Sequence, residues 1–211
     1  MPPLMDSDQN PKPKLTGRLR KATVAAGLII PVVVVLLILL AIFATGGQFL
    51  DRYSHLGAFK VPSGGMCPTI CRSERIMADM DAYRARSPER GELVLFKLPE
   101  TQALLIKRVI GVAGDTVEAG PKNVIMIDGK PLSLPATCGS PVLEQDPSEE
   151  LLNFPSTTVP KGFFFVVGDN LANSRDSRFP GFGLVSVDQL RGKPLFLYWS
   201  PGRSRIGCRT Q

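Results

Sequence analysis

Lys107 interrupts the apolar run Leu104-Leu105-Ile106 and is followed by Arg108-Val109-Ile110. Side chains alternate along a strand, so Lys107 shares a face with Leu105 and Val109. If that face is buried, desolvation disfavours the ammonium form and supplies a neutral amine as general base near neutral pH. On an edge strand the same lysine would lay its stem along the surface and keep its charge in water. Periodicity alone leaves both open. A Ser-His-Asp triad is not expected, because the sole histidine, His55, follows closely on a long apolar segment. A hydroxyl and a thiol stand close together in Val61-Pro62-Ser63-Gly64-Gly65-Met66-Cys67-Pro68-Thr69-Ile70. A strand there would place Ser63, Gly65 and Cys67 on one face, with a hydroxyl and a thiol available for activation. Zinc is not expected, since no C-x-x-C pair is present, and no other metal or organic cofactor is called for.

The elements around these residues read as β. Phe59 to Val61 begins a short segment. Arg75 to Ala78, Glu92 to Phe96, Leu104 to Val112, Phe163 to Val167 and Pro194 to Trp199 are rich in branched and aromatic residues. Val124 to Ile127, Asp128-Gly129 and Lys130 to Leu132 predict a hairpin, because Asp-Gly tolerates the positive φ of a type I′ turn. Residues 131–160 hold six prolines and an acidic patch through Glu144, Asp146, Glu149 and Glu150, and read as a solvated excursion inserted in the sheet. The fold expected is mainly β: a single N-terminal transmembrane helix followed by an all-β domain over 61–211.

The chain has 211 residues, 44% of them hydrophobic, enough for one medium domain and not the composition of a disordered protein. The net charge of +6 comes largely from the two ends, with no basic block interleaved with aromatics, so nucleic acid is not an expected partner. No charge occurs between Lys21 and Asp51, and 24–44 is almost wholly Ala, Val, Leu and Ile. Roughly 20 such residues span the ~30 Å hydrocarbon core. A cleavable signal peptide has a shorter apolar region, about 7–15 residues, and an A-x-A site, whereas Ala41 and Ala44 are three apart. Lys12, Lys14, Arg18, Arg20 and Lys21 before the span put residues 1–23 in the cytoplasm, 45–60 as a juxtamembrane connector, and the β domain on the outer face of a bacterial-type plasma membrane. Cys67, Cys71, Cys138 and Cys208 would then lie in an oxidising compartment, with three possible pairings.

Four blocks in order resemble the type I signal peptidases, Ser/Lys endopeptidases that remove signal peptides from exported proteins. Pro62-Ser63-Gly64-Gly65-Met66-Cys67-Pro68-Thr69 is similar to P-S-G-S-M-x-P-T, and Arg90-Gly91-Glu92-Leu93-Val94-Leu95-Phe96 to R-G-D-V-V-x-F. Lys107-Arg108-Val109-Ile110-Gly111-Val112-Ala113-Gly114-Asp115 is similar to K-R-V-I-G-L-P-G-D. Gly168-Asp169-Asn170 with Asn173-Ser174-Arg175-Asp176-Ser177-Arg178 is similar to G-D-N-R-D-N-S-x-D-S-R. The resemblance implies that Lys107 is the general base and Ser174 the hydroxyl that orients it. It implies that Ser63 and the backbone N–H of Gly65 form the oxyanion hole, and that Asp169, Asp176 and Arg178 fix the loop beside the lysine. Leu171 and Ala172 stand where the family has Arg-Asp, which removes part of that cluster.

The family's nucleophilic serine falls on Gly65, which has no side chain. Losing the nucleophile of a serine protease costs on the order of a million-fold in kcat, leaving ~10³–10⁴ over water from the oxyanion hole and binding. Ser63 and Cys67 are the possible substitutes, although a two-residue shift along a strand moves a group roughly 6–7 Å. Two functions follow from the resemblance. One is a signal peptidase I that hydrolyses preproteins by the Ser/Lys route. The other is a pseudopeptidase that binds signal peptides or assists an active peptidase. The expected partners are signal-peptide segments of exported preproteins, the lipid bilayer and, in the second case, that peptidase.

Overall fold

The computed structural model describes residues 33–43, 53–121, 124–134 and 153–210. The chain forms two units, 1–54 and 55–211. In the first, residues 33–43 are α-helical with exposed side chains, and the rest of the expected span at 24–44 lies outside the described residues. Among the described residues no helix is long and apolar enough to cross a membrane.

Among the described residues the second unit has eleven strands: β1 (Leu56–Lys60), β2 (Arg75–Asp79), β3 (Leu93–Lys97), β4 (Leu104–Gly111), β5 (Thr116–Ala119), β6 (Ile125–Ile127), β7 (Lys130–Pro131), β8 (Thr157–Thr158), β9 (Phe163–Val167), β10 (Val185–Ser186) and β11 (Leu190–Trp199). A seven-stranded sheet runs β1-β2-β11-β3-β4-β9-β10, and a four-stranded sheet runs β7-β6-β5-β8. Every pairing is antiparallel. β1 starts at Leu56, so the folded unit takes in the end of the stretch expected to be connector, and the first strand precedes its expected start at Phe59.

Strand β9 and the Val109–Ile110 part of β4 are apolar without a break because both of their faces are covered. Ile110, Phe165 and Val167 pack with Val117, Ile125 and Ile127 of the second sheet. Their neighbours Val109, Phe164 and Val166 pack with Val94, Phe96 and Leu190. Strands buried on both sides lose the alternation of a half-exposed sheet and are held firmly in register. The Asp128-Gly129 hairpin forms as expected: both residues have positive φ, 51° and 72°, and β6 pairs with β7 across them. Asp128 Oδ1 also accepts from Thr116 N at 2.8 Å, which ties the turn to β5. The proline-rich excursion leaves the second sheet after β7 and returns to it at β8. Phe154 and Val159 are buried in that sheet's core, and 135–152 lie outside the described residues.

Candidate active site

Lys107 lies near the middle of β4, opposite Val94 of β3. Only 7% of it is exposed, which settles the choice left open by periodicity in favour of burial. Leu105 and Val109 belong to one apolar cluster, in keeping with their shared face. Burial pushes the Lys107 amine below the ordinary lysine value. Asp176 acts against that shift, Arg178 with it and Asp169 against it. The Nζ donates to Ser174 Oγ at 2.5 Å. The base and the hydroxyl expected to orient it are therefore brought together from positions 67 residues apart.

Two buried ion pairs fix the loop that carries Ser174. Arg108, the residue after Lys107, grips Asp169 with Nε to Oδ1 at 2.7 Å and Nη2 to Oδ2 at 2.6 Å. Its remaining donors reach Gly91 O and Thr69 Oγ1. Arg178 holds Asp176 in the same forked way, at 2.8 and 3.0 Å, and donates to the carbonyls of Leu171 and Ser174. Asp176 Oδ2 accepts from Gly168 N at 2.9 Å. Forked pairs of this kind fix angle as well as distance, so both carboxylates serve as rigid struts. Leu171, where the family has arginine, is buried in the core at the start of a short 3-10 turn, Leu171–Asn173. Asp169 is paired with Arg108, and Asp176 with Arg178. The only local signal for Arg108 in the sequence is a charge within an apolar strand.

The segment expected to run as a strand through Ser63, Gly65 and Cys67 is instead a loop of turns between β1 and β2. Ser63 is exposed, Gly65 buried, and Cys67 tied to Cys71 in a disulfide. That disulfide removes the Cys67 thiol from consideration as a nucleophile. The loop is clamped from both sides. Asn170 N donates to Gly65 O at 3.1 Å. Arg205 Nη2 donates to Thr69 O at 2.7 Å, and its Nε lies 3.1 Å from Glu74 Oε1. That last contact is an ion pair without hydrogen-bond alignment. Asn170 and Arg205 were not singled out from sequence.

Gly65 faces the lysine. A Cβ at position 65 would lie 3.6 Å from Lys107 Nζ and 3.3 Å from the carbonyl oxygen of Asn173. One C–O bond further, a serine hydroxyl would come within hydrogen-bond range of the amine. Lys107, Gly65 and Ser63 share the wall of a cleft of about 730 Å³, counting its open mouth. One side of it is the end of β1 and the chain to Met66, and the other is Leu104–Lys107 of β4. β9 pairs with β4 only from Arg108 onward, so the edge of β4 opposite β3 is open along this cleft. Among the described residues no group of acidic, histidine or cysteine side chains is placed to hold a metal ion.

The family model described as signal peptidase, peptidase S26, matches residues 29–199. The "Probable signal peptidase I-2" of Synechocystis is 34% identical over 156 residues, covering 71% of this chain and 65% of that protein, just under two thirds of its length. The "Signal peptidase I" of Bacillus amyloliquefaciens is 30% identical over 159 residues, covering 75% of this chain and 81% of its own. A crystal structure of a signal peptidase I from Enterococcus faecalis V583 aligns with 51% of this chain and 97% of its own, at 29% identity and a TM-score of 0.41. Given a family match over most of its length and relatives of this similarity, this chain belongs to the signal peptidases of peptidase family S26.

Proposed function

We propose that this chain is a signal peptidase I-type membrane protein whose cleft takes the cleavage region of an exported preprotein as an added strand. Its Ser/Lys chemistry is complete except for the nucleophilic hydroxyl. Support for the groove comes from the open edge of β4 over Leu104–Lys107, facing the chain from β1 to Met66. Main-chain bonds to such an edge supply affinity, and shallow pockets beside it select small side chains. Ser63 Oγ and the N–H of residue 65 are the donors for a developing oxyanion, Lys107 is the base, and Ser174 holds the amine. Asp169, Asp176 and Arg178 keep that loop in place.

The observation that carries the reading is the 3.6 Å between Lys107 Nζ and the point where a side chain at position 65 would begin. Everything the serine route needs surrounds that point, and glycine offers no oxygen there. By the Ser/Lys route this chain therefore falls on the order of a million-fold below a member with serine. It acts chiefly by holding signal peptides, alone or beside an active peptidase. The anchor at 24–44, the cytoplasmic N-terminus and the outward β domain belong to the same proposal, supported by the charge-free run and the basic residues before it.

The test uses the full chain in detergent with a labelled precursor peptide carrying an A-x-A site. Binding is read by fluorescence anisotropy and cleavage by mass spectrometry. The peptide should bind the unmodified chain, the Gly65→Ser variant should cut it after the second alanine, and adding Lys107→Ala should abolish the cut. A peptide that fails to bind, or a Gly65→Ser protein that binds without cutting, would overturn the reading.

A further inference from the structure

The geometry points to Lys107 activating a water molecule directly beside the α-carbon of Gly65, giving the site a slow one-step hydrolysis of the bound peptide with no acyl-enzyme. This rests on the reading above, that an extended peptide occupies the cleft.

The point at which a side chain would leave Gly65 is flanked by two polar groups, Lys107 Nζ at 3.6 Å and the Asn173 carbonyl oxygen at 3.3 Å, with Ser174 Cα at 3.8 Å. For a carbon atom the 3.3 Å approach to a carbonyl is tight. A water oxygen stands off the Gly65 α-carbon at non-bonded distance, so it lies beyond that point in the cleft that Gly65 and Lys107 both line, where hydrogen bonds of ~2.7–3.2 Å are to be met. A bound water wants two to four polar partners. Here the Asn173 carbonyl accepts one of its hydrogens and Lys107 Nζ, in its unprotonated form, accepts the other. A lone pair on the water oxygen is left to face the peptide carbonyl. The contact of Nζ with Ser174 Oγ at 2.5 Å restricts rotation of the amine. The Arg108–Asp169 and Arg178–Asp176 pairs keep Asn173 and Ser174 at these distances.

The step balances without a further reactant. The water oxygen bonds to the carbonyl carbon as its proton passes to Lys107 Nζ, and the carbonyl electron pair moves to the oxygen held by Ser63 Oγ and the N–H of residue 65. The tetrahedral species then collapses, the C–N bond breaks, and the ammonium of Lys107 returns the proton to the leaving amine. The products are a carboxylic acid and an amine. The protein carries no ester at any stage.

The experiment incubates the full chain in detergent with the same A-x-A peptide and samples by acid quench and intact-protein mass spectrometry. Expected is single-site cleavage ~10³–10⁴-fold above the spontaneous rate with no acylated protein. Cleavage should be lost in Lys107→Ala and partly restored to that variant by added methylamine, in proportion to its concentration. A merely structural lysine would not be replaced by a free amine. An acyl adduct on Ser63 would overturn the water route in favour of a substitute nucleophile. Peptide bound and cut by Gly65→Ser, but never by the unmodified chain, would overturn the water route while leaving the peptide-holding function standing. Failure to bind the peptide at all would remove both.

Discussion

Lys107 Nζ and Ser174 Oγ meet at 2.5 Å inside the protein, one from the middle of an eight-residue strand and the other from a loop 67 residues later. A neutral amine has two hydrogens and one lone pair, and only the lone pair can take a proton. The contact with Ser174 restricts rotation of the amine, which lies 3.6 Å from the point where a side chain at position 65 would begin. Removing the hydroxyl leaves the base present but free to turn. In the Gly65→Ser background, Ser174→Ala should lower kcat on the order of 10²-fold, the usual penalty for misplacing a reacting group by about 1 Å. KM should be nearly unchanged. Steady-state kinetics with the A-x-A peptide separate the two, and a change confined to KM would show that Ser174 shapes the groove instead.

Burial of Lys107 also makes folding depend on pH. Its folded pKa is below the ordinary 10.5, chiefly through desolvation, with the nearby charges of Asp176, Arg178 and Asp169 partly offsetting one another. Between that lowered value and 10.5 the unfolded chain holds a proton that the folded chain does not. Stability therefore rises with pH across this window, and below the folded pKa the dependence ends because both states are protonated. Lys107→Met should remove this slope and make the β unit more stable at neutral pH. Denaturant titrations of both proteins at a series of pH values from 6 to 10 check it. Parallel slopes in the two would mean that the amine stays charged in the folded state.

How much of this was legible in the sequence depended on how local the signal was. Lys107 announced itself because a charge inside an apolar strand is visible in five residues, and the Asp128-Gly129 turn for the same reason. Strands buried on both faces, such as β9, stood out as apolar runs. The two-residue strands β8 and β10 offered no periodicity to read. Ser174 came from the resemblance alone, since nothing near position 174 refers to position 107. Alternation misled at Ser63, Gly65 and Cys67, where the chain turns back on itself and the Cys67–Cys71 bond closes the loop. The partner of Asp169 is not legible locally, because Arg108 is 61 residues away.

The Arg108–Asp169 pair is almost wholly removed from water, at 2% and 0% side-chain exposure. Breaking such a pair strands a buried charge, which costs about 3–5 kcal/mol. Asp169→Ala should therefore destabilise the β unit by that amount and detach the loop bearing Asn170 from Gly65. The mirror substitution, Arg108→Met together with Asp169→Leu, leaves no orphan charge and should recover much of the stability. It should not recover the activity of the Gly65→Ser protein, because the strut that sets the loop angle is gone. Unfolding curves and cleavage rates of the three proteins, measured in parallel, check both halves; full activity in the double variant would show that the pair contributes stability alone.

Gly168 decides how closely the two loops approach. A Cβ there would run into Ser174 Oγ, Ser174 Cβ and the Gly65 carbonyl oxygen. Two of these are the groups that set the base and the nucleophile position, so the glycine is needed for close approach of loop to loop. Neighbouring Gly64 makes the contrast, since a Cβ on it would meet nothing within 4 Å. Gly168→Ala should cost at least about 1–3 kcal/mol, the usual range for overpacking a tight site. In the Gly65→Ser background it should also cut kcat by driving Ser174 away from Lys107. Gly64→Ala should stay within roughly 0.5 kcal/mol of the parent, as surface changes generally do. Thermal unfolding and peptide cleavage on the two alanine variants test the contrast. Equal behaviour of the pair would mean that the loops can separate without losing the site, and that the close contact at Gly168 is not what holds Ser174 against Lys107.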